Sequence, residues 1–167
     1  MANRSQSHYL DIGVLGEDLV TQWLRFTGWL ILERRWSCRW GEIDVIARFE
    51  PVQPLPFSLL AFIEVKTRNR GNWDAGGLLS ITPRKRAKLW QTARCFLATH
   101  PSLADHACRF DVALVYYQRL LTKQHHESCG IPVVSEDLPV QLGKPVEIAG
   151  YQLILQEYIP SAFESIG

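Results

Sequence analysis

The chain lacks the features that would place it outside the cell or in a membrane. Its four cysteines, Cys38, Cys95, Cys108 and Cys129, fall at wide, irregular spacings with no CxxC pair, which speaks against both a zinc ribbon and a disulfide framework. The first residues, MANRSQSHYLDIG, have no apolar core of the kind a signal peptide needs, and no later run approaches the length that spans a bilayer. A soluble protein of the reducing cytoplasm, with no membrane partner, is the expectation. Internal repeats and low-complexity tracts are missing as well. So are a GxxxxGK phosphate loop, a GxSxG elbow and an HExxH pair, which leaves ATP use and serine-hydrolase chemistry without support.

What is present fits one well-buried domain. A chain of 167 residues with 47% apolar content is long enough for one such core and short for two. The net charge of +1 conceals an asymmetry. Residues 1–94 hold 14 of the 18 Lys and Arg but 9 of the 17 Asp and Glu, a net +5, and the remainder carries −4. Basic residues are densest in RRWSCR, Arg34 to Arg39, and PRKRAK, Pro83 to Lys88. Such clusters attract a polyanion, although basic runs also serve as solvated faces.

Hydrophobic periodicity outlines alternating elements. Ile12, Leu15, Leu19, Trp23 and Phe26 recur at three- and four-residue steps, predicting an amphipathic helix from His8 to Phe26 that Gly28 ends. Short strands are predicted at Trp29–Glu33, Ile43–Arg48 and Leu60–Thr67, the last two separated by a break at Pro51, Pro54 and Pro56. Thr82 and Pro83 start a second helix, with Ala87, Trp90, Ala93 and Leu97 as its buried stripe. A strand at Arg109–Tyr117 follows. The stretch 118–145 mixes Gly, Pro, His and acidic residues without a period and is expected to be a loop or insert. A strand or hairpin over 146–159 closes a core of residues 8–117. The order of elements predicts one α/β layered structure.

Two apolar, strand-like runs carry acidic residues: GEIDVIA, Gly41 to Ala47, and AFIEVKTR, Ala61 to Arg68. Alternation along a strand puts Glu64 and Lys66 on one face, roughly 7 Å apart at Cα, with Ile63 and Val65 on the other. A carboxylate and an ammonium side by side at a strand end can hold a divalent cation and face a water or phosphate. Magnesium takes carboxylate oxygens and keeps several waters unless more carboxylates converge. Asp44, in the neighbouring strand, is the natural second ligand, and Gly41 would let a phosphate backbone come close. Taken alone, Glu64-Val65-Lys66 reads better as a simple surface ion pair, a common arrangement of little energetic weight.

Several blocks in order decide between these readings. They are Gly16-Glu17, Gly41-Glu42-Ile43-Asp44, Phe62-Ile63-Glu64-Val65-Lys66-Thr67-Arg68, the basic helix around Lys85, and Arg109-Phe110-Asp111. Together they resemble the PD-(D/E)XK nuclease superfamily, and more closely the YraN-like family, which is similar to archaeal Holliday junction resolvases. The resemblance spans residues 13–117. It implies a restriction-endonuclease-like three-layer fold, a central mixed β-sheet flanked by helices. It further implies a metal-dependent endonuclease acting on structured or branched nucleic acid, with DNA favoured over RNA and a homodimer as one possible state. Asp44, Glu64 and Lys66 would then be the catalytic core, Asp44 and Glu64 holding magnesium or manganese, with Glu17 as the helical acid added to the metal site. A second function stays open, a nucleic-acid-binding module that keeps the fold without cleaving. Clustered carboxylates without a cation are expected to leave at least one group resisting ionisation.

Further candidates are weaker. Arg68, Arg84, Lys85, Arg86 and Lys88 are the expected phosphate contacts. Glu42 alternates with Asp44 and could share the site or lie in solvent. Trp36, Trp40 and Trp73 could stack on unpaired bases, but packing at the core or its margin is favoured. His125, His126 and Cys129 lack a fourth ligand at useful spacing for a soft metal. Arg109 and Asp111 read as a strand-end tie, with Phe110 packed.

Overall fold

The computed structural model describes residues 11–49, 58–70, 81–120 and 139–163. The first helix, α1 (Ile12–Phe26), starts where the Asp11 carboxylate accepts the Gly13 N–H at 2.9 Å, a side-chain cap for an otherwise orphaned donor. It ends at Thr27 and Gly28, the latter at φ +89, a left-handed conformation that glycine adopts without penalty. Residues 8–10, expected to begin this helix, lie outside the described part.

Six strands follow: β1 (Trp29–Cys38), β2 (Gly41–Phe49), β3 (Leu59–Asn69), β4 (Ala107–Arg119), β5 (Pro145–Ile148) and β6 (Tyr151–Phe163). Helix α2 (Pro83–Thr99) lies between β3 and β4. The strand order is β1-β2-β3-β4-β6-β5, with β3 and β4 parallel and every other neighbouring pair antiparallel. Two adjacent strands can run parallel only through a crossover, and α2 lies in that crossover. The last two strands form a hairpin around Ala149 and Gly150, both at positive φ (+53 and +80). That hairpin was expected over 146–159; β6 runs four residues further, to Phe163, and takes the place beside β4.

Two apolar clusters, one on each face of the sheet, make this a three-layer α/β fold of the restriction-endonuclease-like kind. On one face Leu15, Leu19, Val20 and Leu24 of α1 pack on Val45, Ala61, Ile63, Ala113, Val115 and Leu155. On the other, Leu89, Ala93 and Phe96 of α2 pack on Ile43, Ile46, Leu60, Phe62, Phe110 and Val112. Alternation along β3 splits Leu60 and Phe62 from Ala61 and Ile63, so each sheet residue serves one layer. Each fully buried Leu, Val or Phe side chain contributes roughly 1.5–3 kcal/mol.

Two expectations need correction. Strand β1 is twice the expected length: a bulge between Ile31 and Glu33 and a left-handed Arg35 (φ +50) let it bend and carry on to Cys38. The buried stripe of α2 is Leu89, Thr92, Ala93 and Phe96, whereas Ala87 is exposed and Trp90 and Leu97 are half-buried at its edge. Thr92 joins the buried side because its hydroxyl bonds back to the Lys88 carbonyl at 2.8 Å and so leaves no donor unpaired. Gly41 is half-buried, and a Cβ there would stand 3.4 Å from Thr92 Oγ1, so the glycine brings the β1–β2 turn against α2.

A carboxylate and lysine cluster at the sheet end

Strands β2 and β3 pair from Phe49–Leu59 as far as Val45–Ile63 and then part. Beyond that point Ile43 and Val45, two residues apart, lie in opposite clusters, so the strand twists sharply at Asp44. The Asp44 side chain takes over the lost ladder bond: its Oδ2 accepts the Val65 N–H at 2.7 Å. Burial pushes the Asp44 carboxyl up to about 7, with the Glu64 charge next and Glu17 adding to it, while the Val65 N–H and Lys85 pull the other way. Asp44 is thus a carboxylate that resists ionisation, for the reasons that apply to crowded acids.

Glu64 lies on the α2 face of β3, beside Val112 of β4. Its side chain is only 6% exposed, and its Oε1 is held twice, by Lys66 Nζ at 2.6 Å and by Lys85 Nζ at 3.1 Å. Its Oε2 is buried with no hydrogen-bond partner among the described residues. Alternation brings Lys66 to the same face as Glu64, as the sequence suggests. Lys85 arrives from α2, where its own N–H is capped by Thr82 Oγ1 at 3.2 Å.

Glu17 approaches from the opposite layer. Gly16 allows this, because a Cβ at that position would lie 2.0 Å from Thr67 Oγ1; the missing side chain lets α1 rest directly on β3. Glu17 is buried, and desolvation raises its pKa despite Arg35 and Arg34, which stand 3.9 and 4.0 Å from its Oε2. That oxygen, too, has no hydrogen bond. Among the described residues no three Asp, Glu, His or Cys side chains form a ready-made metal cluster. The acids instead sense one another electrostatically where β2 and β3 part.

The remaining sequence candidates separate into groups. Arg34 bonds Asp18 at 2.6 Å and Arg35 bonds Glu42 at 3.4 Å, so two members of the first basic run close internal pairs on Glu17's side. Glu42 itself is exposed. Lys85 belongs to the carboxylate cluster, which the composition of its helix could not reveal. Arg86 donates its Nε to the Ile81 carbonyl at 3.1 Å and stacks over Phe163. Arg68, Arg84 and Lys88 are exposed. Trp36 packs edge-on against Phe96, and Trp40 is exposed at 41% with Arg39 over its ring. Trp73, His125, His126 and Cys129 lie outside the described residues. Asp111 is fully buried and ties strands together, accepting from Tyr158 Oη at 2.6 Å, Ser161 N–H at 2.9 Å and Arg109 Nε at 3.0 Å. No helix among the described residues is long and apolar enough to cross a membrane.

Residues 16–115, which contain every member of the carboxylate and lysine cluster, match the model of uncharacterised protein family UPF0102. Similar chains cover nearly the whole length. A UPF0102 protein of Trichodesmium erythraeum is 48% identical over 165 residues, 94% of this chain and 91% of the relative. One from Acaryochloris marina is 49% identical, covering 95% and 92%, and one from Trichormus variabilis is 49% identical, covering 95% and 97%.

Proposed function

The chain belongs to protein family UPF0102, and we propose that it is a metal-dependent endonuclease of the PD-(D/E)XK superfamily, hydrolysing phosphodiester bonds in structured or branched DNA. The observation that carries this is the state of Glu64: a buried carboxylate with one oxygen clamped by two lysines and the other unpartnered, beside an Asp44 that retains its proton up to about 7. A purely structural ion pair has no use for a second acid at that point.

The donor set fits magnesium or manganese, both of which take carboxylate oxygens. Asp44 and Glu64 would hold the ion, with Glu17 nearer its outer shell. When bound, such an ion neutralises phosphate charge and makes a coordinated water more acidic. The protein's own groups do the rest. Asp44 has to release its proton before it can ligate, which favours the neutral-to-alkaline range. Lys66, held 2.6 Å from Glu64 Oε1, would orient the attacking water or steady the charge that develops on the phosphate. Arg68, Arg84 and Lys88, exposed around this end of the fold, would meet flanking phosphates and set register without reading sequence.

The test is a panel of labelled duplex, flap, junction and single-stranded substrates with magnesium or manganese. Wild type is expected to cleave a branched member. Glu64→Ala should abolish cleavage and leave binding equal or tighter, since it removes both a ligand and a charge that repels phosphate. Binding by wild type without cleavage of any substrate would replace this proposal with a non-catalytic nucleic-acid-binding module.

A further inference from the structure

We infer that Lys85 is a displaceable internal counter-ion of Glu64, holding the place of positive charge that a divalent cation takes over, so that cation binding requires Lys85 to swing out. This rests on the metal-site proposal above and adds to it a regulation of cation affinity by α2. The geometry separates the two lysines. Lys66 is nearer, at 2.6 Å, and its side chain is 20% exposed; Lys85 is at 3.1 Å and 40% exposed. Lys85 has a flexible four-carbon stem leading to solvent and can leave by rotation alone.

Charge makes that departure necessary. With both carboxylates ionised and both lysines in place, Asp44, Glu64, Lys66 and Lys85 sum to zero. A divalent cation added to that set would raise it to +2 in a buried site. With Lys85 turned out, the same set with the cation carries +1, and Glu64 Oε1 is released from its second donor. Together with Oε2, already without a hydrogen-bond partner, the carboxylate could then face the ion. Until an ion replaces it, Lys85 supplies the second positive charge on Glu64 Oε1, 3.1 Å away. An ammonium swung outward from the first turn of α2 would lie beside exposed Arg84, where a phosphate could receive it.

Manganese serves as the probe, titrated at pH 8 into metal-free wild type, Lys85→Gln, Lys85→Ala and Lys85→Arg, with free Mn(II) read by electron paramagnetic resonance. Removing one like charge this close should tighten manganese binding about tenfold in both the Gln and Ala variants. Lys85→Arg keeps the charge and should bind no more tightly than wild type. Using both Gln and Ala separates loss of charge from any hydrogen bond that the new amide makes to Glu64. Glu64→Gln, expected to lose binding in every background, locates the ion. Unchanged or weaker affinity in the Gln and Ala variants, with wild type binding normally, overturns the role of Lys85 alone. If no variant and no wild-type sample binds manganese, the metal site falls and this inference falls with it.

Discussion

Replacing Asp44 by Asn should stabilise the protein above neutral pH and do almost nothing near pH 4. The Asp44 carboxyl moves from 3.8 to about 7 on folding, chiefly because it is buried and secondarily because Glu64 is close. The folded state therefore binds this proton more tightly than the unfolded chain. The stability that the bound proton supplies is fully present below about pH 4, declines through the window up to about 7, and is gone above it. A shift of roughly three units corresponds to about 4 kcal/mol at most, and partial solvent access makes 2–4 kcal/mol the reasonable range. Asn is never charged, and its Oδ1 can still accept the Val65 N–H, so it keeps the contact and escapes the penalty. Thermal and urea unfolding in a chelator, at pH 4, 5, 6, 7 and 8, would measure the difference. The gap should open by up to about 1.4 kcal/mol per pH unit through the window. At 2–4 °C per kcal/mol for a chain of this size, the Asn variant should melt roughly 5–15 °C higher at pH 8. Added magnesium should narrow the gap, because only wild type gains from binding it. A gap that stays constant with pH, or an Asn variant less stable at pH 8, would refute the assignment of a strained carboxylate to Asp44.

Other perturbations separate the parts of the molecule. Asp111→Ala removes the acceptor of Tyr158, Ser161 and Arg109 from a fully buried position; it should cost about 3–5 kcal/mol and lower the melting temperature by roughly 10 °C, without altering manganese affinity. Gly16→Ala should destabilise strongly, since its Cβ would overlap Thr67 Oγ1, and a double-mutant cycle with Thr67→Ala should recover part of the loss, as read by urea midpoints. Neutralising Arg84 and Lys88 together should weaken binding to all nucleic-acid sequences alike and lower the log-log salt slope by about two, near one per lost phosphate contact. Arg86→Gln should leave that slope unchanged and instead reduce stability, because its Nε caps the Ile81 carbonyl.

Local pattern was enough to read most of the elements and the two halves of the acidic pair. Period-two alternation put Glu64 and Lys66 on one face, and the Thr82-Pro83 start placed α2 within a residue of where it begins. What escaped depended on contacts distant in the chain. The buried face of α2 is set by which residues meet Phe62 and Phe110 across the crossover, and a helix with Ala87, Leu89, Trp90, Ala93, Phe96 and Leu97 offers two overlapping stripes. Strand β1 runs on through three exposed charged residues, Glu33, Arg34 and Arg35, with a bulge at Ile31–Glu33, and the two arginines pair with Asp18, Glu42 and Glu17 while staying at the surface. Composition presents the same arginines as a surface patch and gives no sign of those pairings. Lys85 sits in a basic run that reads as a uniform face, and only the packing of α2 turns one of its four cations inward to Glu64.

The site exists because β2 and β3 stop pairing while each goes on beside its other neighbour. Had β2 and β3 kept their register, Val65 would have faced Ile43, its N–H would have been met by backbone, and Asp44 would have had no ladder donor to bond. Parting at Val45–Ile63 leaves a donor unmet in a half-buried place, and an acidic side chain is the group that satisfies it while keeping a charge in reserve. Gly16 then admits α1 closely enough for Glu17 to be felt there, and Gly41 lets the β1–β2 turn rest on α2, the helix that carries Lys85. A neutral amide at Asp44 would accept the same Val65 N–H without the desolvation and repulsion that the acid bears, so stability alone does not call for a carboxylate there. The Glu64 carboxylate is opposed by a cation on α2 and Glu17 by cations on β1. Were the proposed cation to bind, one positive group would leave as another arrived, and the strands that hold the carboxylates would not need to move.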